Sequence, residues 1–314
     1  MRFSLITTVK NEQETINDFL ESLSAQSKTP DEIVIVDGMS SDQTLQKIKS
    51  FKKLNIKIIE ENSNIAKGRN IAIRNTANDF IVVTDVGCTL KVDWFEKITS
   101  FGRENDVVVG NYKPIIQSIF DACQYSIMGL FKSNKKDEDF VISSRSLAFR
   151  KRVWEELGGY PEWLNYSEDM YFHNQIKRAN YRVKYAKEAF VEWRQRKTLK
   201  QIFKQFFLYM EGDGMAKMHT TRHLIRFLTY FTAVLLVILG LGNPLYLLLI
   251  VGGFLLYLSV PYSNFIRLKR YSLFTSALFI IPFLLIYSDV AKMAGYVSGI
   301  LKGAKERNLL DTSD

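Results

Sequence analysis

Cysteine and histidine are scarce in this chain of 314 residues, which contains two cysteines and three histidines. Neither Cys88 nor Cys123 lies at a spacing typical of a zinc site or a disulfide framework, so both chemistries are disfavoured and a reducing compartment is expected. His219 and His223 are four residues apart, but no glutamate follows His219 and no third ligand is evident. A zinc site is therefore not predicted.

Several other signatures are missing. The segment that follows Met1 is too short and too β-rich for the apolar core of a signal peptide, so the first part of the chain is expected to stay in the cytoplasm. No Gly-x-Gly-x-x-Gly follows the first predicted strand, which disfavours a dinucleotide-dependent oxidoreductase. The formal net charge is +9, but no recognisable nucleic-acid-binding module carries it. The basic excess indicates either a solvated surface or attraction to anionic lipids and phosphate-bearing ligands.

The first part of the chain alternates between short apolar runs rich in valine and isoleucine and segments with the apolar spacing of an amphipathic helix. This alternation predicts a parallel sheet covered by helices. The predicted strands are 3–9, 31–38, 55–60 and 79–85, and the predicted helices are 11–27, 41–51 and 64–76.

Polar residues follow three of these predicted strands. Thr8, Asn11 and Glu12 end the first strand, Asp37 ends the second, and Asp85 ends the fourth. In parallel sheets covered by helices, ligands bind beyond the carboxyl ends of the strands. We therefore expect these side chains to share one ligand-binding edge.

Three further features have alternative interpretations. Ser41 and Asp42 precede a predicted helix and are interpreted as capping residues. His173 lies four residues after an aspartate and is expected at the surface rather than in contact with it. The segment 199–215 has an apolar stripe with lysines opposite, which suits either a helix in the membrane interface or a helix docked on the sheet.

Long apolar runs occur only in the last third of the chain. Residues 224–241 and 244–261 are nearly free of charge and each approaches the roughly 20 residues that cross about 30 Å of hydrocarbon. Basic residues, including Arg222 and Arg267, flank the pair on both sides. By the positive-inside rule, both flanks are expected in the cytoplasm.

A third apolar run, 273–288, contains Pro282 and is expected to be broken there. A possible interfacial helix follows at 289–304. The run is expected either to cross the membrane or to dip in and return, and the sequence leaves both topologies open.

Six short motifs occur in the order that is typical of family 2 glycosyltransferases. They are TTVKNE, VDGMSSDQT, AKGRNIAI, VVTDVG, LGGYPEWL and SEDMYF. The resemblance extends from residue 3 to about residue 214. It implies an α/β fold of the GT-A type, in which a nucleotide-sugar-binding domain with a mostly parallel sheet (1–214) precedes a membrane-anchoring helical region (215–314).

The activity that the resemblance implies is inverting transfer of a hexose at the cytoplasmic face of the cell membrane. The donor would be a nucleotide-diphosphate sugar, and the acceptor a lipid-linked or cell-envelope saccharide in polysaccharide biosynthesis. Membrane lipids are expected partners and nucleic acid is not. The residues of this sequence that match the donor-binding positions of similar enzymes, or lie beside them, are Thr8, Asn11, Glu12, Asp37, Lys67, Arg69 and Asp85.

A metal site is also implied, but with a departure from the family pattern. Asp85 matches the first acid of the D-x-D motif, which in similar enzymes coordinates a divalent cation. Oxygen ligands of this kind suit Mg²⁺ or Mn²⁺. Gly87 replaces the second acid, so the alternative that Asp85 binds ribose stays open.

The acceptor side of the reaction is assigned to a second acidic pair. An inverting transfer needs a base that takes the proton of the attacking hydroxyl, and in similar enzymes the matching aspartate, here Asp169, does so. Glu168 would orient or bind the acceptor. Arg194 and Arg196 would stabilise the leaving diphosphate, or else form a basic edge that faces lipid.

Two rival functions are kept. A catalytically silent sugar-nucleotide-binding membrane protein is suggested by Gly87 and opposed by Asp169. A processive polysaccharide synthase is opposed by the small membrane region and by the absence of a Q-x-x-R-W segment.

Overall fold

The computed structural model describes residues 1–128, 142–270 and 273–311, with side chains as far as Ala304. The described chain divides into two compact units. The first unit contains Met1–Ile115 and residues 142–194. The second unit contains residues 116–128 and the described residues from Gln195 onward. The chain passes into the second unit after Arg194, which is earlier than the boundary predicted at residue 214.

The first unit is built on one sheet. Its strands are β1 (Phe3–Val9), β2 (Glu32–Asp37), β3 (Lys57–Glu60), β4 (Phe80–Val83), β5 (Cys88–Leu90), β6 (Val107–Ile115), β7 (Leu147–Arg150) and β8 (Val183–Arg194). Among the described residues their order is β3-β2-β1-β4-β7-β6-β8-β5. The first four strands pair in parallel, which confirms the predicted α/β arrangement.

Three pairings of the described strands are antiparallel, at positions that the sequence did not identify. β7 lies antiparallel between β4 and β6, and β5 pairs antiparallel with β8, whereas β6 and β8 are parallel. The four residues of β4 are fully buried because the sheet is covered on both faces there.

Eleven helices are described. They are α1 (Ile16–Ser24), α2 (Thr44–Ser50), α3 (Ile65–Arg74), α4 (Trp94–Thr99), α5 (Ile119–Ile127), α6 (Lys151–Glu156), α7 (Glu168–Arg178), α8 (Leu199–Met215), α9 (Thr220–Gly240), α10 (Leu245–Arg267) and α11 (Phe274–Asp311). The N-cap residue of α2 is Gln43, whose side chain makes no capping hydrogen bond, so Asp42 is not the cap; from one position earlier it accepts the Thr44 N–H at 2.9 Å. The capping role predicted for Ser41 is wrong, because its hydroxyl contacts Asn11 Oδ1 at 3.3 Å instead.

The second unit is helical. α9, α10 and α11 are each long and apolar enough to cross a membrane, with mean hydropathy of 1.8, 2.0 and 1.8. α11 differs from the prediction, since it continues through Pro282 and includes the segment 289–304 that was expected as a separate interfacial helix. α8 packs along α11 within this unit, because Gly295 and Gly299 let the two backbones meet closely. It therefore belongs to the helical unit rather than to a layer on the sheet.

Two buried carboxylates organise the polar contacts of this helical unit. Asp213 Oδ2 lies 3.1 Å from His219 Nδ1 and 3.2 Å from His223 Nε2. The two histidines that are four residues apart in the sequence therefore both contact this carboxylate. Asp289 contacts Arg226 Nε at 3.2 Å and Lys292 Nζ at 3.1 Å. The hydroxyls of two tyrosines complete the Asp289 group: Tyr230 and Tyr257.

Candidate active site

The loops after β1 and β2 are joined by side-chain hydrogen bonds. Ser40 donates its hydroxyl to Asp37 Oδ1 at 2.6 Å and accepts the Asn11 N–H at 2.9 Å. Asn11 adopts a left-handed conformation, with φ of 55°, and its Oδ1 accepts the Ser41 N–H at 2.8 Å. Asp37 is thereby buried and ordered at the carboxyl edge of the sheet.

Helix α3 approaches the same edge through a glycine. A Cβ at Gly68 would lie 2.8 Å from Thr8 Cγ2, so a larger residue would push α3 away from β1. Glu12 is directed toward Thr15, whose hydroxyl it accepts at 2.6 Å. The structure therefore places Thr8, Glu12 and the start of α3 at the predicted ligand-binding edge.

Arg69 is the centre of the charged site. Its guanidinium is almost fully buried, and it lies 2.8 Å from Asp85 Oδ1 and 2.5 Å from Glu168 Oε1. The same guanidinium lies 5.2 Å from the centre of the Tyr160 ring, a cation–π distance. Burial opposes the charge of Arg69, but Asp85 and Glu168 together raise its pKa above the ordinary value.

The acidic pair opens helix α7. Ser167, just before it, is left-handed with φ of 61°, so the chain turns sharply into the first helical residue, Glu168. Burial raises the pKa of Glu168 to about 7, with Arg69 opposing the shift and Asp169 adding to it. A carboxyl group of this kind exchanges its proton near neutral pH.

Asp169 is the more accessible acid of the pair. Its side chain is half-buried, and its Oδ1 accepts the Met170 N–H at 2.7 Å. Burial penalises its charge, but His173, Arg69 and Arg145 outweigh that penalty and hold the pKa of Asp169 below the ordinary range. It is therefore ionised, as a proton acceptor must be.

Two residues of this site were not found by sequence reasoning. The surface position predicted for His173 is wrong, since the side chain is buried one turn after Asp169. Burial lowers the pKa of His173 to about 4, although Asp169 pulls it upward, so the ring is neutral. Arg145 lies over the Tyr112 and Trp193 rings at 5.5 and 5.1 Å. In the sequence it is recognisable only as a basic residue just before β7, which does not indicate a role in this site.

Three predicted basic residues have other contacts. Lys67 Nζ pairs with Glu61 at 3.0 Å, and Arg194 pairs with Asp18 at 2.5 Å. Arg196 belongs to the second unit, where its carbonyl oxygen accepts a hydrogen bond from the Gln124 side chain at 3.0 Å. Their roles toward a ligand stay predictions.

The metal prediction depends on Asp85. Within the described ranges no group of three His, Cys, Asp or Glu side chains is arranged to hold a metal ion. One carboxylate nevertheless suits Mg²⁺, which keeps several waters and binds through one or two carboxylates together with substrate phosphates. Asp85 fits such a role, because its side chain is partly exposed and Arg69 contacts only its Oδ1 in the pairs described.

Two family models match the chain. One is described as glycosyl transferase family 2 and matches residues 4–157. The other is described as glycosyl transferase family group 2 and matches residues 108–287.

The O-antigen chain rhamnosyltransferase RfbN of Salmonella typhimurium is 26% identical over 232 residues, which cover 66% of this chain and 71% of that protein. TarS of Staphylococcus aureus, a poly(ribitol-phosphate) beta-N-acetylglucosaminyltransferase, is 36% identical over 91 residues, or 27% of this chain. That alignment spans only 16% of the length of TarS.

Solved structures show the same fold. The mannosyltransferase PcManGT from Pyrobaculum calidifontis, in complex with GDP-Man and Mn²⁺, aligns with a TM-score of 0.57 and 17% identity over 93% of this chain and 87% of that one. Residues 1–349 of S. aureus TarS in complex with UDP-GlcNAc align with a TM-score of 0.51 and 19% identity over 98% of this chain and 92% of that one. The GT-A-like arrangement predicted from the motifs is confirmed.

Proposed function

The chain belongs to the family 2 glycosyltransferases, and from this premise we propose that it transfers a hexose, with inversion, from a nucleotide-diphosphate sugar to a cell-envelope saccharide. The enzyme class follows from the family. The nature of the donor and acceptor is the proposed part, and it is supported by relatives whose names describe transfer to O-antigen chains and poly(ribitol-phosphate).

One observation carries the proposal. The buried guanidinium of Arg69 links Asp85, at the end of a central strand, to Glu168, at the start of the helix that bears Asp169. Residues from three separate parts of the chain thus meet at the edge where such sheets bind ligands.

In the proposed reaction, Asp169 takes the proton of the acceptor hydroxyl as that oxygen attacks the anomeric carbon. The bond between the anomeric carbon and the diphosphate oxygen breaks at the same time, and the nucleoside diphosphate leaves with the bonding electrons. The ionised state of Asp169 suits it for this task. Arg69, Asp85 and Glu168 hold the site in shape, and Thr8, Asn11, Glu12 and Asp37 bind the nucleoside. Lys67 and Arg194 would approach the diphosphate after leaving Glu61 and Asp18, their present partners.

Asp85 would hold Mg²⁺ or Mn²⁺ together with oxygens of the donor diphosphate. When bound, such a cation neutralises charge on the departing nucleotide.

We further propose that α9, α10 and α11 anchor the protein in the cell membrane as a multi-pass helical region. Each is long and apolar enough to span it. Basic residues at the two ends of the α9–α10 pair, such as Arg222 and Arg267, support a cytoplasmic location for these ends by the positive-inside rule. A lipid-linked acceptor would suit an enzyme anchored in this way.

The test uses the full chain in native membranes with a panel of UDP- and GDP-sugars, followed by mass spectrometry of the lipid and saccharide fractions. We expect one added sugar with an inverted anomeric bond. Asp169→Asn should lower the rate by roughly 10²- to 10⁴-fold without weakening donor binding. The matched control is Asp79→Asn, an exposed aspartate directly before β4. Absence of transfer from every donor, or equal loss in both variants, would contradict the proposal.

A further inference from the structure

A cavity of about 650 Å³ opens in the first unit between α3, α6 and α7. This volume falls in the range of small-molecule sites, which extends from roughly 300 to 1,000 Å³. Aromatic and polar side chains line it. They include Asn70, Arg74, Trp154, Glu162, Trp163 and Tyr171.

The cavity adjoins the proposed reaction site, because Tyr160 lines the cavity and also contacts Arg69, but the two lie on different sides of α7. Tyr171 and Gln175 line it from α7, whereas Asp169 and His173 belong to another face of that helix. With about 100° between successive helical residues, the two pairs point about 200° apart, in nearly opposite directions. Arg69, likewise, is not among the residues that line the cavity in the described chain.

The wall of the cavity is held in place by Asn70. Its Oδ1 accepts the Trp154 indole N–H at 2.8 Å and the Tyr160 N–H at 2.9 Å, and its Nδ2 donates to Glu162 Oε1 at 2.9 Å. Gly159 has a φ of 80°, and a Cβ there would lie 2.9 Å from Asn70 Oδ1. This glycine is therefore required for the contact, and the pocket is preformed.

An aromatic surface remains open to a ligand. Trp163 is 47% exposed although it packs edge-on against Tyr171, with ring centres 5.7 Å apart. Flat aromatic faces of this kind suit the C–H face of a sugar ring, while sugar hydroxyls pair with amide and carboxylate groups. Glu162 supplies such a group, since it lines the cavity and its side chain is 41% exposed.

The charge of the wall excludes anionic ligands. Glu155 and Glu162 contribute two carboxylates, and Arg74 contributes one guanidinium that already pairs with Glu162 at 2.9 Å. The wall is therefore negative by one charge, which disfavours phosphates, nucleotides and acidic lipid headgroups.

We propose that this cavity is a second, non-catalytic binding site for a neutral saccharide, with Trp163 as its stacking surface. The site holds sugar units away from the reacting end, on the far side of helix α7. Binding there does not require the proposed transfer reaction, so the two proposals fail independently.

The test is a titration of the full chain in detergent with neutral di- and trisaccharides of glucose, N-acetylglucosamine or rhamnose, followed by saturation-transfer NMR. We expect at least one of them to bind, and Trp163→Ala to weaken that binding roughly tenfold. Trp163→Phe should retain part of the affinity. Phe101 is another exposed aromatic residue of the same unit, and Phe101→Ala should leave the affinity for the saccharide unchanged.

Two further measurements distinguish the cavity from the reaction site. Asp169→Asn should bind the saccharide as the natural chain does, and a nucleotide sugar should not displace it. No binding of any neutral saccharide, equal affinity in Trp163→Ala, displacement by the donor, or preference for a sugar phosphate would each overturn the proposal.

Discussion

Arg69 and Glu168 are 99 residues apart in the chain and form an ion pair of 2.5 Å in which both side chains are almost fully buried. The pair fixes the start of α7, and with it Asp169, against α3. A buried pair of this kind tolerates the loss of one partner poorly, because the other charge is then left without compensation.

Arg69→Met should therefore destabilise the protein by about 3–5 kcal/mol, measured as denaturant unfolding followed by tryptophan fluorescence. Adding Glu168→Gln to that variant should restore part of the loss, since the uncompensated carboxylate is removed. Arg74→Met is the control, because that arginine lies on the same helix in an exposed pair with Glu162. Similar losses for Arg69→Met and Arg74→Met would show that the buried pair has no special role.

The buried imidazole of His173 should make the protein sensitive to acid. Its pKa is lowered by burial from 6.5 to about 4, so the folded state binds fewer protons than the unfolded state between these values. Stability is then lost as the pH falls from 6.5 to 4, by about 3 kcal/mol at most. His173→Gln should reduce this loss, as measured by unfolding at a series of pH values.

Glu168 provides an internal comparison, because its shift has the opposite sign. Burial raises its pKa from 4.5 to about 7, so the folded state binds more protons in that window and stability falls as the pH rises through it. Glu168→Gln should remove this decrease in stability at rising pH. It should leave unchanged the decrease in stability at acidic pH that we assign to His173. A pH profile unchanged by either substitution would contradict these assignments.

Gly87 offers a direct test of the metal proposal. No atom lies within 4 Å of the position that a Cβ would occupy there, and its φ is not positive. Gly87→Asp therefore fits without strain and supplies a second acid near Asp85. The Mg²⁺ or Mn²⁺ concentration for half-maximal transfer should fall roughly tenfold, because affinity rises with the number of charged ligands.

Gly87→Ala is the matched control, since it adds bulk without charge. If the aspartate and alanine variants respond alike to added metal, or if the natural enzyme keeps full activity in EDTA, Asp85 does not act as a metal ligand.

The parallel half of the sheet was predictable because each strand is an apolar run followed by a polar residue, and this local pattern is enough to identify β1 to β4. The insertion of β7 between β4 and β6 was not predictable, because it depends on pairing between segments that are distant in the sequence. The burial of His173 was missed for a related reason. Spacing shows that it shares a helix face with Asp169, but not what covers that face.

The donor-edge residues were predicted from motifs, and the structure places Asp37 and Asp85 at the ends of strands as expected. The sequence did not reveal that Arg69 would join Asp85 to Glu168, because an arginine side chain can reach in many directions from its helix. The continuity of α11 through Pro282 also went against the local signal, because a proline inside a helix removes a backbone hydrogen bond and is expected to break or kink it.

The ionic group around Asp289 has a consequence for the assembly of the helical unit. Arg226 comes from α9, Tyr257 from α10, and Asp289 and Lys292 from α11, so each of the three helices contributes to one compensated set. An isolated α11 would keep the contact between Asp289 and Lys292 but would lose the contacts of Asp289 with Arg226 and Tyr257. The polar groups of α11 are therefore fully compensated only when α9 and α10 are packed against it.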